Sequence, residues 1–126
     1  MNLALRPVVT FAACWAAGTS AAPLTVAELA PGDLLITEYL ANPVGVADAD
    51  AEYFEILNRR PAEVDLAGLV VRDDGSNRFV VASLLVPAGG FAVFAAADGL
   101  GLAPDFVFGS QMSLTNGADE IVLERP

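Results

Sequence analysis

Residues 89–101 read GGFAVFAAADGLG, and the fold class turns on whether this stretch is a helix or a strand. Its alanines favour a helix. Against that, Phe91, Val93, Ala95 and Ala97 alternate with Ala92 and Phe94, and glycines bound the segment on both sides, leaving it too short for a self-supporting helix. The stretch therefore reads as a strand. Working outward, similar short apolar pieces lie between turn formers: LLITEYLA (34–41), EYFEILN (52–58), LAGLVVRD (66–73), RFVVASLL (78–85), DFVFG (105–109) and DEIVLER (119–125). In the second of these Phe54 and Ile56 share one face and Glu55 takes the other. About seven short strands with turn signals roughly every eight to fifteen residues predict an all-β sandwich or barrel. VAELA (26–30) has room for a single helical turn after Thr25.

The chain has 126 residues, which fits one domain. It contains no histidine, no lysine and one cysteine, so the usual general base and zinc ligand are missing and no Ser/His/Asp or Cys/His arrangement can be built. Carboxylate pairs and calcium-assisted chemistry remain available. A formal net charge of −10 repels nucleic-acid phosphates and anionic membranes. It suits solubility outside the cell and divalent cations.

The first residues have the pattern of a leader. MNLALR places Arg6 before the apolar PVVTFAACWAAG, and the small residues of TSAAP suit cleavage after Ala21. The expected organisation is a signal peptide at 1–21, a linker at 22–31 and a β domain at 32–126. In a second route FAAC acts as a lipobox, the leader ends at Ala13 and Cys14 carries the lipid. Either route gives a secreted, periplasmic or cell-envelope protein, with a membrane-anchored lipoprotein as the alternative, and no transmembrane segment in the mature domain. The folded domain then holds no disulfide, and loss of Arg6 takes the charge from −10 to −11.

Five pieces in fixed order, GDLLITEYLANP, EYFEILN, VDLAGLVVRDD, LLVPAGGFAVFA and SLTNGADEIVL, resemble the lamin tail domain in its bacterial, exported form over about Gly32 to Leu123. The resemblance rests on Glu38 in the first strand, on Tyr53, Glu55 and Asn58 in the second, and on the Asp65, Leu66, Gly68 turn. It continues through Pro87 and Gly89 to the closing Leu114, Asn116, Gly117 and Asp119. Leu69 departs from the family, which usually has tryptophan there. The resemblance implies an immunoglobulin-like β-sandwich and structural roles for Glu38, Glu55, Asn58, Asp65, Gly68, Pro87, Gly89, Asn116, Gly117 and Asp119. With no rod and no companion enzyme domain in this sequence, the nuclear role of lamins does not carry over.

Candidate sites are few. Tyr39 and Tyr53 are the first candidates for ligand binding, because tyrosine combines an apolar body with a polar tip. Asp48, Asp50 and Glu52 alternate ahead of a strand and are the candidate calcium ligands if the loop curls, although the EF-hand pattern is missing. Asp73 and Asp74 read as a turn around Asp74-Gly75, and Arg59-Arg60 as balance for nearby carboxylates. By parity Glu38 shares a side with Leu34, Ile36 and Leu40. It is then either a paired core-side acid or an edge residue that reaches solvent. In SLTNGADEIVL (113–123), Asn116-Gly117 suits a tight turn and Asp119 a cap on turn amides, so the segment is expected to form a closing hairpin with Ile121 and Leu123 inward. These features favour a non-catalytic exported module that contacts a protein or cell-envelope component. The alternative is a calcium-binding accessory domain or a carboxylate-based hydrolase component, and a third reading is self-association through an edge strand.

Overall fold

A computed structural model describes residues 21–99, 101–115 and 120–126. The expected leader with Cys14, and the turn residues Asn116, Gly117 and Asp119, lie outside the described residues. Ten strands occur among those described: β1 (Leu24–Thr25), β2 (Leu34–Leu40), β3 (Tyr53–Asn58), β4 (Val64–Asp65), β5 (Val70–Arg72), β6 (Arg78–Val80), β7 (Leu85–Val86), β8 (Phe91–Ala95), β9 (Phe106–Val107) and β10 (Val122–Glu124). Seven of them correspond to the pieces read from the sequence. The other three, β1, β4 and β7, have two residues each, too short to leave an alternating pattern.

The strands form sheets of order β2-β3-β8-β9, β10-β5-β6 and β1-β4-β7. Neighbours run antiparallel except β1 with β4 and β8 with β9. Together they make an immunoglobulin-like β-sandwich. The alternation that decided the fold is present in β8, where Ala92 and Phe94 are buried and Phe91 is exposed. Its neighbour β3 buries Phe54, Ile56 and Asn58 and leaves Tyr53, Glu55 and Leu57 part-exposed. The core is an aromatic stack. Phe54 lies 5.0 Å from Phe94 and 6.0 Å from Phe108, while Phe79, on β6, reaches across the sandwich to Phe106 and Phe108 at 5.4 and 5.7 Å. Such pairs add about 0.5–1.5 kcal/mol each beyond area burial. Leu69 is buried, and a cleft of about 280 Å³ remains beside it, lined also by Val26, Leu29, Leu34 and Leu123.

Residues 22–31 are not a linker throughout. Leu24 and Thr25 pair with Val64 and Asp65, and Val26 and Leu29 are buried in the core. Between them runs the expected turn, a 3-10 helix at Val26–Glu28. The Glu28 carboxylate accepts the Thr25 amide and hydroxyl at 2.8 and 2.7 Å, a contact that lowers the Glu28 pKa, the backbone bond being the larger cause. The body of the domain thus begins near Leu24. The boundary was missed because two paired residues and two buried ones carry no periodic signal.

The closing segment is described on both sides of residues 116–119. β10 pairs antiparallel with β5, Leu123 opposite Val71, and Ser113 to Thr115 form no strand. Ile121 and Leu123 do pack against the core as their parity required. The strand that pairs with β10 thus lies far upstream in the chain.

Several structural residues hold loops to the sandwich. The Asn58 amide donates to the carbonyls of Ala62, Val86 and Pro87, and its oxygen accepts the Arg60 amide. Asp65 accepts the Ala67 amide at 2.9 Å, ahead of Gly68 at φ +84°, a backbone conformation that favours glycine. Gly90 donates to the Pro87 carbonyl at 2.9 Å, closing the turn in which Gly89 sits at φ +66°.

Candidate functional site

The four-stranded sheet turns one face to the core and the other outward, and its register places three rows of side chains on the outer face. The first is Leu35, Leu57, Phe91; the second is Glu38, Glu55, Val93; the third is Leu40, Tyr53, Ala95, Val107. Row members sit on adjacent strands about 4.8 Å apart. Leu35, Phe91 and Val107 are exposed, Phe91 at 54%. Leu40, Leu57 and Val93 are half-buried and Ala95 is buried. Apolar rows therefore flank an acidic one.

A β-bulge creates the acidic row. The pairing of β2 with β3 shifts between Ile36 and Glu38, and one extra residue on one strand reverses its side-chain parity. Leu34 and Ile36 face Asn58 and Ile56 on the inner side, whereas beyond Thr37 the partner of Glu38 is Glu55. Of the two readings of Glu38, the edge residue that reaches solvent is the one found.

Hydroxyls organise the two carboxylates. Tyr53 donates its phenol to Glu38 Oε1 at 2.6 Å, and Thr37 donates its hydroxyl to Glu55 Oε1 at 2.7 Å. The bond to Glu38 is the main reason that the Tyr53 pKa is raised above the usual phenol value, with desolvation and the two negative charges adding to it. Tyr39 lies in the same register row as Phe54, Phe94 and Phe106. At 67% exposure it leaves the end of that aromatic row open to solvent. The structure therefore puts Tyr53 on the outer face beside Glu38 and Glu55, and Tyr39 at the edge of the inner row.

The proposed calcium ligands are not brought to one point. Asp48 and Asp50 belong to a single helical turn, α1 (Asp48–Ala51), and residues two apart on a helix do not face each other. Glu52, just beyond it, is buried at 1% exposure, and its Oε2 accepts the Leu114 amide at 3.0 Å. Among the described residues no group of three or more His, Cys, Asp or Glu side chains is placed to hold a metal ion. The spacing suggested convergence only for an extended loop, and the loop is helical.

The remaining acids and arginines secure loops. Asp73 is buried and accepts the Gly75 and Asn77 amides at 2.8 and 3.0 Å and the Asn77 side chain at 2.6 Å. The turn it organises spans the five residues between the paired Arg72 and Arg78. Arg72 bonds Glu124 at 2.7 Å and Asp74 at 3.0 Å, which raises its pKa, Glu124 being the larger cause. Arg60 lies 3.6 Å from Asp33 and Arg59 donates to the Gly32 carbonyl, so this doublet acts locally. Leu35, Thr37, Leu57 and Phe91 escaped the sequence reading. Alternation shows that each points away from its strand neighbours, but not which face meets water.

Compared with family models, residues 27–126 match one described as Lamin Tail Domain. No curated protein and no solved structure matches the chain.

Proposed function

The chain belongs to the lamin tail domain family, and from that premise we propose that it is a non-catalytic module that binds a protein or cell-envelope component through the outer face of its four-stranded sheet. The observation that carries this reading is the row Leu35, Leu57, Phe91, in which adjacent strands present large apolar side chains, two of them exposed, to solvent. Contiguous apolar surface of this kind marks interaction sites. Family membership supports a non-enzymatic domain.

We further propose a bacterial protein carried out of the cytoplasm. The pattern of Arg6, the apolar run and the small residues before Pro23 supports cleavage after Ala21, with lipidation at Cys14 as the second route. No helix among the described residues is long and apolar enough to cross a membrane. Mass spectrometry of the processed N-terminus separates the two routes.

The interface is tested by site-specific photo-crosslinking in the organism of origin. A photoreactive residue at Phe91 is expected to capture a discrete partner, and one at Val44, 97% exposed in the loop after β2, is not. Equal capture from both positions, or none from Phe91, refutes the assignment.

A further inference from the structure

Resting on that binding reading, we propose that the outer sheet face accepts a protein segment carrying an arginine or lysine between apolar side chains. Glu38 and Glu55 are direct cross-strand partners, and like charges placed so are destabilising. The Tyr53 and Thr37 hydroxyls each occupy one carboxylate oxygen, which moderates the repulsion without neutralising it. No arginine occurs in β2, β3, β8 or β9. Arg60 pairs with Asp33, and Arg72 with Asp74 and Glu124. Among the described residues no ion pair engages these two adjacent carboxylates, and a cation from outside would relieve their repulsion.

The flanking rows say how that cation arrives. Residues two apart on a strand lie about 7 Å from each other on one face, so Leu57 stands at that distance from Glu55 and Leu40 from Glu38, with Phe91 beside Leu57 on the next strand. A bound segment with apolar residues on both sides of its basic one would cover these rows and exclude water from the charge pair, where the interaction strengthens. A second copy of the chain is a poor occupant. Each carries a net charge of −10, and face-to-face contact would bring four carboxylates together.

The test is selection of a displayed random-peptide library on the full chain, followed by affinity measurement on the Glu38→Gln/Glu55→Gln and Phe91→Ser variants. Glutamine retains an oxygen for the Tyr53 and Thr37 hydroxyls, so the double variant keeps the fold, and unchanged circular dichroism checks it. The expected peptides carry arginine or lysine flanked by apolar residues, bind the double variant about tenfold more weakly, and weaken as ionic strength rises. Peptides without basic enrichment, or equal affinity for the double variant, overturn the proposal. If such peptides are still lost with Phe91→Ser, the face remains the interface and only the charge inference fails. Peptides indifferent to both variants, or no enrichment at all, refute the face as well.

Discussion

Replacing Asn58 by alanine should be among the most damaging single changes to this domain. The side chain is fully buried, with Nδ2 2.9, 3.0 and 2.9 Å from the carbonyls of Ala62, Val86 and Pro87, and Oδ1 2.9 Å from the Arg60 amide. It joins β3 of the four-stranded sheet to β7 of the small one, so its loss acts on both. Two N–H protons serve three carbonyls, and one oxygen serves an amide. Loss of roughly three net hydrogen bonds at about 1 kcal/mol each, with a desolvation penalty for the buried Val86 carbonyl, gives about 3–5 kcal/mol. Domains of this size have a total of about 5–15 kcal/mol, and the melting temperature should fall by more than about 12 °C. Denaturant unfolding of the wild type and of Asn58→Ala and Asn58→Asp measures it. The aspartate has the same shape but turns a carboxylate toward three carbonyl oxygens, so at neutral pH it should cost more than alanine. Its folded pKa is then raised, the penalty applies above that pKa, and the gap should narrow as pH falls through it. A cost below about 1 kcal/mol for alanine, or an aspartate no worse than alanine at neutral pH, would refute the clamp.

Phe94→Ala removes a ring that stacks on Phe54 at 5.0 Å and should cost about 3–5 kcal/mol by chemical denaturation. Tyr53, whose pKa is raised first by the Glu38 bond, contributes stability fully present below the unfolded phenol value of about 10 and lost as pH rises through the folded one. Ultraviolet titration should show Glu38→Gln moving its ionisation back toward the ordinary range, and an unmoved titration contradicts the bond. Calcium at millimolar concentration should leave the melting temperature unchanged, since helical placement separates Asp48 from Asp50 and Glu52 turns inward to Leu114. A clear rise would restore a metal site.

The fold was legible where alternation ran for several residues. β3 and β8 announce themselves by Phe54 and Ile56, and by Ala92 and Phe94 against Phe91, because a period of two survives in any strand with one buried face. It was not legible at β1, β4 and β7, where two residues pair and no pattern can form. The site was half visible for a related reason. Tyr53, Glu38 and Glu55 could be named from the sequence, but their meeting depends on a bulge at Thr37 that reverses the parity of β2. A bulge is one residue of slack in a ladder and leaves no signature in composition. Leu35, Leu57 and Phe91 form one row only once register across three strands is known.

The edges of the sandwich bear on why a face, rather than a strand edge, should meet the partner. β2 is the longest strand at a sheet edge, and its bulge interrupts the regular run of backbone groups that an added strand would need. At the other edge of that sheet β9 offers two residues, and in the second sheet β6 offers three, with exposed Arg78 at its start. Short, bulged or charged edges discourage strand addition, which weakens the reading of self-association through an edge. The side chains of the outer face are not guarded in this way. The same bulge that blunts the edge turns Glu38 outward beside Glu55, so one inserted residue both discourages indiscriminate backbone pairing and builds the charged row by which the proposed basic partner would be told from an acidic one.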